Sequence, residues 1–274
     1  MLCFVTVAKV HSFDDPDPVH GLAILDKKLY VLRKRPSDQI YVYDTKDYKL
    51  QHHITVPGLQ PFKYNDLTEC HECCKDNCLF LSDFGGGCIH KIEPKGAESK
   101  VSKFADVHQP TGLSMTPEGH LLVASNPNKL TEYNVKTGEK VCEVELQLGI
   151  RWPLHAVKRE DGQYVVSQTD ETMSRVCRVG ADGFFRHCFG GTKGTGEDQL
   201  NYACHLALRG NDDVIVADND NNRVVQLNGS LEYQDTLVEK FREPHRLWYD
   251  SHSRLLYVGE STDNGSITVY DIKK

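Results

Sequence analysis

The sequence has no long apolar run: nothing in its 274 residues approaches the roughly 18 that a membrane-spanning helix needs. The opening "MLCFVTVAKV" has no basic segment ahead of its apolar one and meets "HSFDDPDP" at once, so we expect no signal peptide. Helical periodicity is almost missing, and no linker or low-complexity tract interrupts the chain. No nucleophile elbow GxSxG occurs, and no Ser-His-Asp arrangement can be assembled from sequence alone. In "FGGTKGTGE", Lys193 is followed by Gly194 rather than Ser or Thr, and strands flank it, so this is a connecting loop rather than a phosphate cradle. Asp83-Phe84-Gly85 stands without the rest of the kinase set and reads as a hairpin turn. "VIVADNDNNRVVQL" is not a calcium loop: counted from Asp218, the sixth residue is Arg223 and the twelfth Gly229, where an EF-hand needs Gly and Glu. Excess positive charge is also lacking. A net charge of −7 argues against broad, salt-driven nucleic-acid binding, and "RKRP" (33–36) is a short solvated turn.

What the chain does have is 39% hydrophobic residues, enough for a substantial core, and a repeat. Val214, Ile215 and Val216 read as a buried strand; Asn219, Asp220, Asn221 and Asn222 tolerate left-handed backbone; Val224, Val225 and Leu227 begin the next strand. The same frame recurs: a strand start of the form Pro-x-[Gly/His]-Leu, a turn, an apolar triplet ending near Asp or Ser, another turn, a second apolar strand. Its shared apolar position falls at Leu22, Leu67, Leu113, Ala156, Leu206 and Leu247, at intervals of 45, 46, 43, 50 and 41. Units of this size, with several short strands each, define a β-propeller. Six of them fill residues 1–274 as one domain, and the ring must close, so residues near Val5 to Val7 should supply the outer strand of the final blade.

The segment "FGGTKGTGEDQLNYACHLALRGNDDVIVADNDNNRVVQL" resembles an NHL repeat, with Asp218, Asn222 and Arg223 on its signature positions; Cys204 and His205 depart from it, and Ala203 replaces the expected proline. The resemblance implies an all-β, six-bladed NHL-type propeller, as in the C-terminal domain of TRIM-NHL proteins and in the amidating lyase that acts on peptidyl-hydroxyglycine. No RING, B-box or coiled-coil sequence is present, so an isolated propeller is expected. Asp218 and Arg223 should hold a strand turn and the neighbouring blade.

The two positions before the shared apolar residue are where each inner strand begins at the channel mouth. They carry His20 and Gly21, Asn65 and Asp66, Thr111 and Gly112, Leu154 and His155, Cys204 and His205, His245 and Arg246. From these we expect a binding rim of His20, Asn65, Asp66, Thr111, His155, His205, His245 and Arg246. Adjacent positions point to opposite faces of a strand, so His20 and His245 need not aim where His155 and His205 do. The resemblance to the amidating lyase implies channel histidines that hold zinc. The alternative is that imidazoles simply line a polar channel, and Asp66 is the nearest further ligand in register with His155 and His205.

Ten cysteines are present. In a long chain without an export signal we expect buried free thiols rather than a disulfide framework. "CHECCKDNC", Cys70 to Cys78, with Cys88 and His90 beyond, is the densest soft-ligand cluster; free thiols, a disulfide and zinc all stay open there. The Asn228-Gly229-Ser230 and Asn264-Gly265-Ser266 stretches read as hairpin turns rather than glycosylation sites. With no complete catalytic constellation, the expected function is a non-enzymatic, cytoplasmic, cysteine-rich scaffold. It would be monomeric and need no cofactor, and its rim would recognise a protein partner. RNA binding, or a metal-dependent lyase or hydrolase using the histidines, is the alternative.

Overall fold

Period-two alternation and β-branched residues dominate each repeat, and the computed structural model turns each repeat into one antiparallel sheet. It describes all residues except 1–4, 15–16, 35–38, 61–63, 72–76, 97, 148, 211, 264 and 274. The first sheet is β2 (Val19–Leu25), β3 (Lys28–Arg33), β4 (Gln39–Asp44) and β5 (Leu50–Thr55). The second is β6 (Leu67–Cys70), β7 (Cys78–Asp83), β8 (Cys88–Glu93) and β9 (Lys100–Asp106). The third is β10 (Pro110–Met115), β11 (His120–Ser125), β12 (Lys129–Asn134) and β13 (Lys140–Glu145). The fourth is β14 (Pro153–Lys158), β15 (Tyr164–Thr169), β16 (Met173–Val179) and β17 (Phe185–Thr192). The fifth is β18 (Ala203–Arg209), β19 (Asp213–Asp218), β20 (Arg223–Leu227) and β21 (Tyr233–Val238). The sixth joins the two ends of the chain: β22 (Pro244–Asp250), β23 (Leu255–Glu260) and β24 (Ser266–Lys273) are completed by β1 (Thr6–Asp14). Val7 pairs with Ile272 there, so the expected closure is present. The chain is a six-bladed β-propeller.

The inner strands β2, β6, β10, β14, β18 and β22 each pack on the next, and β22 returns to β2. The core lies between blades, in layers that each join two neighbours. Ile40 and Ile54 of the first blade, for instance, pack with Leu79 and Ile92 of the second, and Val165 and Val176 of the fourth with Val214 and Val225 of the fifth. Leu29 and Val31 of the first blade meet Ile267 and Val269 of the sixth, which closes the apolar ring as β1 closes the hydrogen-bonded one.

A shared irregularity sets the geometry at the channel. In five blades the inner strand slips register immediately before the shared apolar position: between Val19 and Gly21, Pro110 and Gly112, Pro153 and His155, Ala203 and His205, Pro244 and Arg246. The residue passed over (His20, Thr111, Leu154, Cys204, His245) is the extra residue of a β-bulge and leaves the strict alternation of the strand.

The asparagine-rich knot is a turn, tightened into a 3₁₀ turn over Asn219–Asn221 and closed by Asn222 at φ 55°. Buried Asp218 accepts from Asn201 N (2.7 Å), Asn221 Nδ2 (2.8 Å) and Arg223 Nε (2.7 Å), while Arg223 Nη2 donates to Gln199 O (2.7 Å). Asn219 Nδ2 donates to Pro244 O of the next blade (3.1 Å). These residues therefore join the preceding loop, their own turn and the neighbouring blade. Asn228 Oδ1 accepts from the amides of Ser230 and Glu232 (2.9 Å each), the Asx geometry of a turn; Asn264 lies outside the described residues. Arg223→Ala strands a buried carboxylate whose partner is 15% exposed, so urea unfolding should show a loss of about 2–3 kcal/mol, below the full cost of breaking a buried pair. An unchanged midpoint would contradict this structural role.

Candidate functional site

Of the eight residues expected at the mouth, Asp66, His155, His205 and Arg246 form a collar across the channel. All four occupy the position just before the shared apolar residue, in the second, fourth, fifth and sixth blades. The first and third blades have glycine there, and both are needed. A Cβ on Gly21 would lie 2.8 Å from Leu67 Cβ, and one on Gly112 would lie 2.5 Å from Leu154 O and 2.9 Å from His155 Cδ2. Asp66 is the hub of the collar. Its Oδ1 lies 3.2 Å from Arg246 Nε and 3.5 Å from His205 Nε2, and its Oδ2 lies 3.7 Å from His155 Nε2. It also accepts from Leu67 N and from Leu113 N in the third blade (2.9 Å each).

Arg246 answers with a fan of donors: Nε to His20 O (2.8 Å), Nη1 to His245 O (3.2 Å) and Nη2 to Asn65 O (2.8 Å). His155 Nε2 is 3.0 Å from Leu113 O, and a carbonyl only accepts, so this nitrogen carries the proton. His245 Nδ1, 2.9 Å from Val19 O, does the same, leaving its Nε2 to accept from Arg246 Nη1 (3.3 Å). The His155 and His205 rings lie 3.8 Å apart, and Nδ1 of each is buried without a hydrogen-bond partner. Thr111 Oγ1 donates to Pro153 O (2.6 Å), and Asn65 Oδ1 accepts from Phe84 N (3.0 Å). The collar thus bonds blade to blade around the ring.

The electrostatics follow. Burial raises the Asp66 carboxyl, but Arg246 and then His205 outweigh it and hold the group well below the usual carboxylate range. Burial, and then the charge of His205, push His155 down to about 3; burial also lowers His205, and burial with Arg246 lowers His245 well below its ordinary value.

The structure places the eight expected rim residues as follows. All eight residues are buried, and they fall into two groups, as the bulges require. His20 and His245 line a depression of about 520 Å³ on the side where the inner strands begin, with Pro18, Lys34, Tyr202 and Glu243. His155 and His205 line a cavity of about 270 Å³ beyond the collar, where Trp248 Nε1 donates to Glu69 Oε1 (2.7 Å).

Sequence reading passes over a second ring, one residue ahead of the bulge. Gln109, Trp152, Tyr202 and Glu243, each directly before an inner strand, have φ of 46°, 56°, 62° and 44°, a left-handed backbone that such residues seldom adopt. Main-chain bonds hold them: Gln109 O accepts from Asn126 N (3.2 Å), Tyr202 O from Asn219 N (3.2 Å), Glu243 O from Ser261 N (3.0 Å), and Trp152 N donates to Pro127 O (2.8 Å). Trp152 is 45% exposed. The signal was available as the residue preceding Pro110, Pro153, Ala203 and Pro244, but propensity gives no reason to expect positive φ there.

A divalent ion does not fit the Asp66–His155–His205 group, although its ligand atoms lie within 4.8 Å of one another. The nearest nitrogen of His155 is already protonated toward a carbonyl, and the carboxylate is already paired with a guanidinium that would repel a second cation.

The cysteines also part company. Cys70 and Cys78 face each other at one end of the second blade, Cys88 and Asp83 at the other, so among the described residues no single cluster joins them. Free thiols hold for Cys88, Cys142 and Cys204; the expectation fails for Cys70, which is in a disulfide, and for Cys177 and Cys188, register partners on β16 and β17 that are bonded to each other. Cys3, Cys73 and Cys74 lie outside the described residues. Cys204 is a hydrogen-bonded core thiol, pushed up to about 12 by burial, with Sγ 3.5 Å from Pro244 O.

No family model matches the sequence, and no curated protein does. Solved structures do match. A structural-genomics protein of unknown function from Bacteroides thetaiotaomicron superposes with TM-score 0.70 at 13% identity, covering 98% of this chain and 76% of that one. Virginiamycin B lyase from Staphylococcus aureus gives 0.65 at 13%, covering 98% and 99%. The Cps50 (Swd1) β-propeller domain of Myceliophteria thermophila gives 0.63 at 15%, covering 93% and 84%. These likenesses are of fold. No helix of the structure is long and apolar enough to cross a membrane.

Two predictions follow from the collar. Arg246→Met leaves Asp66 charged, buried and without its cation, and should cost about 3–5 kcal/mol in urea unfolding; a loss under 1 kcal/mol would show that the collar does not bind the blades together. The buried histidines are neutral in the folded state and their pKa values lie below the unfolded one. Their contribution to stability is therefore complete above pH ~6.5 and falls as pH drops below it, by up to about 1.4 kcal/mol per pH unit for each such histidine. Chemical denaturation from pH 7 to 5 should show this slope, and His155→Gln should reduce it.

Proposed function

We propose that this propeller is a non-catalytic binding module of NHL type that grips an extended segment of a protein partner on the face where the inner strands begin. The observation that carries this reading is Trp152: a large, 45% exposed aromatic on a backbone fixed by hydrogen bonding to the adjacent loop. Trp is enriched at interface hot spots, and a fixed backbone lowers the ordering cost of binding. Around the same face the equivalent positions present Pro18, Gln109, Tyr202 and Glu243, and the 520 Å³ depression falls within the about 300–1,000 Å³ of ligand sites. Its lining carries both signs, Lys34 opposite Asp220 and Glu243, which suits a peptide better than a polyanion and disfavours RNA. The collar supports a structural rather than a catalytic use of the histidines, since their Nε2 atoms are turned to Leu113 O and to Asp66, which Arg246 already pairs.

The test is selection of random displayed peptides on the purified chain. Selected peptides should lose about 30-fold or more in affinity on Trp152→Ala, a hot-spot loss of about 2 kcal/mol, with the melting temperature unchanged. Peptides that ignore Trp152 and Glu243 but depend on Trp248, or a random RNA pool that binds more tightly at physiological salt, would refute the reading.

A further inference from the structure

A second convergence of ligand-type side chains lies away from the channel, in the hairpin between β7 and β8. Asp83 ends β7, Cys88 begins β8 directly opposite it in register, and His90 follows two residues later. Alternation puts all three on one face of the blade. His90 Nε2 lies 3.6 Å from Cys88 Sγ and 3.6 Å from Asp83 Oδ2, and the three donor atoms lie within 4.8 Å of one another.

Those separations are the ones a tetrahedral zinc ion imposes. With Zn–S of about 2.3 Å, Zn–N of about 2.05 Å and Zn–O of about 2.1 Å, a tetrahedral angle gives an S···N separation of about 3.6 Å and an N···O separation of about 3.4 Å. The carboxylate is also divided as a ligand would be. Asp83 Oδ1 accepts the turn amides of Gly86 (2.8 Å) and Gln60 (3.4 Å), while Oδ2 is the oxygen turned toward His90. Gly86 makes room for it, because a Cβ there would fall 2.2 Å from Oδ2. Lys103 on β9, register partner of His90, is ion-paired with Asp106, and among the described residues no guanidinium or ammonium forms an ion pair with Asp83 as Arg246 does with Asp66. His90 keeps 13% side-chain exposure, so an ion can reach the cluster.

We propose that Asp83, Cys88 and His90 form a zinc site with three protein ligands and a fourth position open to water or an exogenous ligand. One thiolate, one imidazole and one carboxylate favour Zn²⁺ over the hard cations Mg²⁺ and Ca²⁺, which take oxygen ligands. The site is independent of the peptide-binding reading. It lies on the turn between the second and third strands of its blade and uses neither the collar nor Trp152.

The experiment is metal titration of the full-length chain, reduced and stripped with a chelator. It should take up one equivalent of Zn²⁺, and Co²⁺ in its place should give the thiolate-to-cobalt charge-transfer band of a sulfur ligand. Cys88→Ser and His90→Ala should each weaken zinc by about 100-fold or more, beyond what losing an outer-shell partner costs, and Cys88→Ser should abolish the band. Asp83→Asn keeps the Oδ1 turn bonds while removing the charge, and should weaken zinc with the circular-dichroism spectrum unchanged. His155→Ala should leave zinc binding intact. Zinc retained at full affinity by folded Cys88→Ser or Asp83→Asn, or no uptake by the reduced wild-type chain at micromolar free zinc, would overturn the proposal.

Discussion

The propeller hangs on one buried carboxylate. A ring of blades has a weak point wherever neighbours touch only through apolar side chains, because such contacts are non-directional and permit sliding. Asp66 supplies direction. It draws Arg246 from the sixth blade, an amide from the third, and the imidazoles of the fourth and fifth toward a single point. A buried charge is tolerable only when its lone pairs are filled, and here backbone amides and a guanidinium fill them. Arg246 in turn is fixed by carbonyls of the first, second and sixth blades, so neither partner can relax without breaking several bonds at once.

This arrangement explains why two blades break the pattern of a polar residue in the collar. Gly21 and Gly112 are not weak copies of the repeat; their missing side chains are the space that Leu67 of the second blade and His155 of the fourth occupy against the neighbouring strand. It also explains the bulges. In the sixth blade the extra residue pushed out of the ladder lets the strand turn two successive side chains to different depths, His245 toward the depression and Arg246 into the collar.

The strands, their sixfold recurrence and the closing role of residues near Val7 were legible in the sequence, because apolar triplets between turn residues admit few other packings. So was the shared position of His155 and His205, and the doubt about His20 and His245, which rests on the alternation of a strand. How deeply the eight candidates are buried was not legible, because burial depends on what other blades contribute, and no spacing along one blade carries that. Cysteine pairing was illegible for a related reason. Cys177 and Cys188 are bonded because β16 and β17 align them, and register across a hairpin is fixed by the turn rather than by the number of residues between thiols. Asp83, Cys88 and His90 meet by the same rule, and a reading that grouped Cys88 with Cys70 could not find them, since the two lie at opposite ends of one sheet.

The separation of collar and outer ring has a mechanical consequence. The residues ahead of the inner strands are held by their own main chain, through the bonds at Gln109, Trp152, Tyr202 and Glu243, and of their side chains Tyr202 also packs against the core layer between the fifth and sixth blades. Their chemistry is correspondingly unlike: an amide, an indole, a phenol and a carboxylate occupy equivalent places. The collar positions have no such freedom, because each side chain there completes a neighbour's hydrogen bonds. Replacing the exposed Trp152 side chain changes what the face presents and removes none of the collar's hydrogen bonds, whereas replacing Arg246 breaks several of them. The exposed indole of Trp152 and the buried imidazole of His155 thus lie only a few positions apart in the chain while answering to different constraints, one set by the face and the other by the ring.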